Sequence, residues 1–231
     1  MIARALPRVW RRSTVARVLG HAVPMYIHPI LAPDTWQALA RSNLSAGFAV
    51  ANTADGPGGH PEPAYQDALG ELLAAGTPVV GYLDSAYGAR DPAALVAEFE
   101  RWRRWYGITG LFVDRVASHP PNPGDAVRLV DRLRAAGASR VVVNPGVIPA
   151  PQWCRAADVV VTFEGSWADH HRHLPPGWLR EVLPERLCHL VHSVPPGVSG
   201  PAVAAQVAAA GAGIAGVSHQ RMPNPWTGTV S

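Results

Sequence analysis

Two short apolar runs in this chain end on carboxylates. Gly110-Leu111-Phe112-Val113 stops at Asp114, and Asp158-Val159-Val160-Val161-Thr162-Phe163 stops at Glu164. A buried strand that finishes on an acid sets a charge at the rim of a core, which costs free energy unless the charge is paired, solvated or used. Two carboxyl groups at one cavity are the equipment of glycoside hydrolysis, one moving a proton and the other carrying negative charge opposite the reacting carbon. Further runs stop on side chains suited to polar ligands: His28, Asn52, Asp84, Asn144, His192 and His219-Gln220. Strand ends are wet in any protein, so part of this set is expected to serve only its own loops.

Composition narrows the chemistry. All 20 basic residues are arginine, so no lysine exists to form a Schiff base and imine chemistry is excluded. This bias fits a high-GC bacterial genome. Arg4, Arg8, Arg11, Arg12 and Arg17 crowd the first segment of a chain whose net charge is only +3. Residues 1–22 read as a basic arm on a near-neutral body, and no nucleic-acid groove is expected. No stretch approaches the roughly 20 apolar residues of a membrane span. Ser13, Thr14, Arg17 and His21 interrupt any leader-like apolar segment, so a cytoplasmic protein without a membrane partner is expected.

Cys154 and Cys188 lack CxxC spacing and read as two buried free thiols. Asp169-His170-His171-Arg172-His173 carries donors suited to a transition metal, and His28, His192 and His219 form a possible trio at the rim. The first reads better as an exposed, proline-flanked polar loop, and the second as packing or substrate hydrogen bonding. Neither metal nor cofactor is expected. Gly56-Pro57-Gly58-Gly59 lacks a Walker lysine and reads as a tight loop. The arginines between Arg128 and Arg140 read as a solvated outer helix face.

The elements that must position these residues alternate. Strands are predicted at Val23–Ile27, Gly47–Ala51, Pro78–Leu83, Gly110–Val113, Arg140–Val143, Asp158–Phe163, Leu187–Val191 and Gly213–Val217. Helical stripes lie between them: Trp36, Leu39 and Ala40 behind a cap at Asp34, then Tyr65, Leu69, Leu72 and Leu73, then Leu95 to Tyr106 opened by Asp91-Pro92, then Val127, Leu129 and Leu133, with an alanine-rich helix from Val203. Nearly all-apolar strands, each followed by a helix, predict a parallel sheet buried on both faces. Eight units in about 210 residues predict an α/β fold, a single compact (β/α)8 TIM-type barrel over residues 23–231. His28-Pro29-Ile30-Leu31 after the first strand is no dinucleotide turn. Alternate barrel strands share an interior layer, so Asp114 and Glu164 are expected to face each other about 5–9 Å apart. Trp36, Tyr82, Tyr87, Trp167, Trp178 and Trp226 supply aromatic surface near the loops for stacking on sugar rings.

In this setting the chain resembles the spherulation-specific family 4, or spherulin-4-like, proteins. The resemblance runs from Val23 to Trp226. It is carried by Val23-Pro24-Met25-Tyr26, Asn52 with Gly56-Pro57-Gly58, Gly81-Tyr82 with Tyr87-Gly88 and Arg90, and Trp105-Tyr106 with Gly110-Leu111-Phe112-Val113-Asp114. Asn144-Pro145-Gly146, Thr162-Phe163-Glu164, Val191-His192 and Asn224-Pro225-Trp226 complete it. It implies a (β/α)8 barrel similar to glycoside hydrolases that cut N-acetylgalactosamine-containing polysaccharides such as galactosaminogalactan.

The family pattern implied is an Asp-Glu pair ending strand four and a Glu ending strand six. Asp114 and Glu164 fit, but Arg115 stands where the second acid is expected. Arginine cannot donate a proton near neutral pH, and a guanidinium facing the site would lower the pKa of both acids. Turned away, it would pair with a loop carboxylate, and Asp84 or His192 would be the candidates for the missing acid. Asp114 and Glu164 are therefore the expected catalytic residues, with His28, Asn52, Tyr82, Asp84, Arg115, Asn144, His192 and Trp226 expected to bind a glycan or other small-molecule substrate. Two further readings stay open: a repurposed intracellular enzyme of bacterial specialised metabolism, gripping an anionic molecule through Arg115, and a non-catalytic sugar-binding barrel. The oligomeric state is left open.

Overall fold

A computed structural model describes residues 18, 20–42, 44, 46–122 and 124–227. The five arginines of the basic arm lie outside the described residues. Eight parallel strands close into a barrel in chain order, each paired with its sequence neighbours and β8 with β1. The strands are β1 (Gly20–Met25), β2 (Phe48–Ala51), β3 (Val79–Asp84), β4 (Gly110–Asp114), β5 (Arg140–Asn144), β6 (Val159–Ser166), β7 (Leu187–His192) and β8 (Ile214–Val217). The helices are α1 (Pro33–Arg41), α2 (Pro63–Ala74), α3 (Pro92–Tyr106), α4 (Gly124–Ala135), α5 (Pro151–Ala156), α6 (Trp167–His170) and α7 (Gly200–Ala209). No helix among the described residues is long and apolar enough to cross a membrane.

The alternating pleat sorts the apolar residues into two cores. Ala22, Phe48, Val50, Val80, Phe112, Val142, Val159, Val161, Cys188, Leu190 and Ile214 fill the barrel interior. Their strand neighbours, among them Val79, Leu83, Leu111, Val141 and Val191, pack outward with the helices. Both cysteines are buried and free, Cys188 inside the barrel and Cys154 outside it.

Helix ends follow the local chemistry. Asp91 caps α3 by accepting from Ala93 N at 2.9 Å, with Pro92 at the first position, and Gly107 ends it at φ 69°, a left-handed conformation open to glycine. Asp34 falls inside the first turn of α1 instead, after an Ala32 cap with no side-chain bond. Strand β1 begins at Gly20, three residues before its apolar run, because Gly20 and His21 pair with β8 without announcing themselves as apolar. Val127 and Leu73 face solvent, and the buried stripe of α4 is Ala126, Val130 and Leu133.

Arg140 also departs from the solvated face expected of it. It enters the barrel floor, donates to Gly47 O at 2.9 Å and lies 5.1 Å over the Phe48 ring. Burial lowers its pKa, with Asp158 opposing.

The wall behind the site rests on one glycine. Gly81 in β3 lets the fully buried Trp102 of α3 lie against the sheet, where its indole Nε1 donates to Tyr82 O at 2.9 Å. A Cβ on Gly81 would stand 2.6 Å from that ring. Gly81→Ala is expected to destabilise the protein by about 1–3 kcal/mol through overpacking, read as a lower urea midpoint at unchanged slope.

Candidate active site

Asp114 ends β4, Asn144 ends β5 and Glu164 lies on β6, all at the carboxyl face of the barrel. One nitrogen joins them. Asn144 Nδ2 donates to Asp114 Oδ1 at 2.8 Å and to Glu164 Oε2 at 2.6 Å. The two acceptor oxygens are therefore separated by at most the sum of those distances, 5.4 Å. Gly146 N donates to Asn144 Oδ1 at 2.8 Å, which fixes the amide so that its NH2 faces the acids. The remaining carboxylate oxygens are also held: Tyr82 OH donates to Asp114 Oδ2 at 2.7 Å, and Trp226 Nε1 donates to Glu164 Oε1 at 3.1 Å.

Glu164 reaches this position through a bulge. Val159 and Val161 point into the barrel, and strict alternation would send Phe163 inward and Glu164 out. The β6–β7 register instead shifts between Val161 and Phe163. The extra residue, Thr162, leaves Phe163 in the outer core and turns Glu164 toward Asn144. Re-aiming a side chain in this way is a recognised use of bulges.

Burial raises the pKa of both acids. On Asp114 three donors oppose the shift (Tyr82, the Arg115 backbone N–H and Asn144), and Asp84 adds to it. On Glu164 only Asn144 and Trp226 oppose, while the Asp114 charge adds to burial. Tyr82 is pushed far up by burial and by Asp114, so its hydroxyl stays a donor.

A cleft of about 500 Å³ opens beside Glu164, lined by Tyr26, Asn52, Asp55, Tyr65, Tyr82, Glu164, Asn224 and Trp226 among others. Of the predicted binding residues, Asn52, Tyr82 and Trp226 line it and Asn144 bridges the acids behind it. Thr53 to Asp55, Tyr26, Tyr65 and the stretch from Met222 to Pro225 complete the lining with Glu164 and lie outside the predicted binding set. Tyr26 had a signal, since it follows the first strand and sits edge-on to Tyr82 with ring centroids 5.9 Å apart.

The other four predicted binders are engaged elsewhere. His28 bonds Glu62 and accepts from Ile30 N at 3.2 Å, capping a short 3-10 turn. His192 lies beside Ser166 in register and bonds Ser193 Oγ at 2.9 Å. Arg115 turns away from the acids, at φ 50°, and grips Asp84 bidentately, with Nε at 2.8 Å from Oδ1. Its guanidinium also lies 5.5 Å over the Tyr87 ring. The Arg115 bonds lower the pKa of Asp84 and hold it ionised, which removes Asp84 as a replacement proton donor.

All five non-glycine residues with positive φ among the described residues (Asp55, Ala86, Tyr87, Arg115 and Ser193) follow strands at this face, where strained backbone tends to gather in functional sites. The segment 169–173 is not a uniformly exposed loop. His170 is buried 1% exposed against Phe163 and His189. No group of three potential metal ligands converges among the described residues.

The family model for spherulation-specific family 4 matches residues 21–229. Spherulin-4 of Physarum polycephalum is 26% identical over 168 residues, covering 71% of this chain and 50% of the relative. The chain thus spans about half the length of that curated relative. Aspergillus clavatus Sph3, solved in complex with GalNAc, matches with a TM-score of 0.76 at 22% identity, over 90% of this chain and 92% of the other. Deoxyribose phosphate aldolase from Aeropyrum pernix matches with a TM-score of 0.51 at 16% identity, over 89% and 87% of the two chains. At these identities the structural likenesses speak to the fold, an eight-stranded α/β barrel.

Replacing the shared donor isolates its contribution. Asn144→Leu is expected to cost about 1–3 kcal/mol at pH 7 by leaving two half-buried carboxylates short of a donor. Their folded pKa values then rise further above the unfolded ones, so the folded state binds more protons and gains stability as pH falls. The deficit against wild type should shrink between pH 7 and pH 5, measured as urea midpoints at both.

Proposed function

The chain belongs to spherulation-specific family 4, and we propose on that premise that it hydrolyses glycosidic bonds of an N-acetylgalactosamine-containing polysaccharide, with Glu164 as proton donor and Asp114 as the anionic partner. The observation that carries the reading is the single Asn144 nitrogen shared by both carboxylates, one of which, Glu164, lines the cleft. Glu164 has fewer opposing donors than Asp114, and burial and the Asp114 charge both raise its pKa, the direction a proton donor needs. Asp114, with three donors, is the better-supported anion and faces the charge that develops at the sugar carbon. The loss of the second acid of the pair to Arg115 does not empty this arrangement, because Glu164 and Asp114 divide the two roles.

Aromatic faces of Tyr26, Tyr82 and Trp226 beside the polar groups of Asn52, Asp55 and Asn224 suit a pyranose, with its apolar faces and hydroxyl edges. The bridged oxygens are no further apart than the two Asn144 bonds allow. That puts them on the short side of the range, away from the wider gap of inverting enzymes and with the roughly 5–5.5 Å of enzymes that proceed through a glycosyl-enzyme intermediate. In that route Asp114 attacks the anomeric carbon while Glu164 protonates the departing oxygen. Glu164 then takes a proton from the water that releases the sugar with retained configuration. An anionic small molecule held by Arg115 is a poorer fit, since Asp84 already occupies that fork. The non-catalytic sugar-binding reading keeps one point in its favour, Arg115 itself.

Wild-type protein is expected to depolymerise galactosaminogalactan, releasing the retained anomer by NMR. Glu164→Gln should lose about 10²–10⁴-fold in turnover, the usual contribution of a general acid. Sugar binding without turnover, unchanged by Glu164→Gln, would instead establish the binding-protein reading.

A further inference from the structure

Behind Glu164, on the face of β6 away from the cleft, three imidazoles share one apolar enclosure. His170 of α6 and His189 of β7 are each 1% exposed, and His173 lies just beyond α6. Phe163 is wedged among them, its ring centroid 4.7, 4.9 and 5.7 Å from those of His170, His173 and His189. His170 Nε2 meets His189 Nδ1 at 2.9 Å, and His189 Nε2 meets Thr162 Oγ1 at 3.2 Å. Thr162 and Phe163 are the bulge residues that turn Glu164 inward. His170 Nδ1 and His173 Nε2 have no partner among the described residues.

We propose that His189, backed by His170 and His173, is the positioning residue for Glu164, and that protonating this cluster releases the bulge, making it an acid-operated latch on the site. The proposal deepens the reading of Glu164 as proton donor and rests on it for its consequence in turnover. Neutral His170 and His189 bond because one nitrogen donates and the other accepts. An imidazolium donates from both nitrogens, so a charged pair would set donor against donor.

Among the described residues no carboxylate pairs with any of the three imidazoles. From β6 the cluster meets Thr162 and Phe163, with Glu164 on the opposite face. From β7 it meets only His189 itself, with Cys188 turned inside the barrel. On α6 and the residues after it, His171 and Arg172 are exposed, and Asp169 is turned to Ser166 and Arg172. His192, at the end of β7, bonds Ser193. Burial, reinforced by the neighbouring imidazoles, lowers His170 to about 4 and holds His189 well below its ordinary value, and burial lowers His173. A histidine whose folded pKa lies below its unfolded value of about 6.5 stabilises fully above that pH. The contribution is lost as pH falls toward 4.

The test reads the position of residue 164 without turnover. Trp226 Nε1–H donates to Glu164, so its indole resonance, assigned through Trp226→Phe, reports on the bulge. In a Glu164→Gln background, which removes titration of that carboxyl, imidazole and indole signals are followed from about pH 7.5 to about pH 3. The indole resonance is expected to move with the midpoint of the imidazoles, and adding His189→Gln, whose amide does not titrate, should abolish most of that movement. The proposal is overturned if the indole stays put while the imidazoles titrate, if His189→Gln leaves its movement unchanged, or if the whole spectrum collapses in the same step. Should His189→Gln not fold, His173→Gln substitutes for it, with a shifted midpoint expected and an unshifted one counting against the latch. In wild-type enzyme, kcat should fall on the acid side more steeply than one proton allows, with KM little changed. Absence of hydrolysis alone would count against the functional reading and leave the indole experiment standing.

Discussion

Two carboxylates brought within a few ångströms repel, and burial sharpens the repulsion by removing water. A barrel that sets acids on two strands facing one interior must therefore place donors between them or lose the pair. Here the strand between the two acids supplies that donor. Asn144 stands on β5, flanked by β4 and β6, and its amide reaches both neighbours because interior-facing side chains converge at the mouth. Its own oxygen is committed to Gly146 N, so the amide cannot rotate to present an acceptor. Everything else in the site is arranged around this fixed nitrogen: Tyr82 on the outer oxygen of one acid and Trp226 on the outer oxygen of the other.

Arg115 shows how local backbone conformation confines a substitution. A positive charge next in sequence to Asp114 ought to dominate its electrostatics. At φ 50° the side chain leaves the strand sideways toward β3, where Asp84 is the register partner of Asp114. The guanidinium is neutralised there, and only its backbone N–H acts on Asp114. The two acids keep raised pKa values, the reverse of what an inward-facing guanidinium would cause. The charge change is absorbed by a second acid–base pair at the rim.

Much of this was legible in the sequence, for identifiable reasons. Eight apolar runs with helices between them admit few folds, and strand ends such as Asp114 and Asn144 fall where the runs stop. Glu164 faces Asn144 for a reason its apolar run does not contain. Counting by twos from Val159 sends it outward, and only the extra residue at Thr162 brings it in, a shift that depends on pairing with β7 and leaves no mark in composition. His28 follows β1 and His192 ends β7, yet their rings are taken by Glu62 and Ser193. Tyr65 and Met222 to Pro225 reach the cleft from a helix and a late loop, where no strand-end rule applies. Arg140 carried the opposite problem: a charge at a strand start looks solvated until the barrel closes and Gly47 becomes its neighbour across the floor.

The two ends of the barrel then divide the work. At the floor, Arg140 spans to Gly47 and Phe48, and the small residues there let the strands close tightly. At the mouth, backbone held in left-handed conformations at Asp55, Ala86, Tyr87, Arg115 and Ser193 coincides with the loops that surround the acids. Such conformations cost on the order of 1–3 kcal/mol each for residues other than glycine, and a closed, doubly packed sheet is what can hold them. The bulge at Thr162 belongs to the same economy, since it sacrifices regular pairing in β6 to turn one carboxyl through the sheet. Its outer side must then be filled, and Phe163 with three neutral imidazoles fills it. The bulge that aims Glu164 is thus packed on the face of β6 away from the cleft.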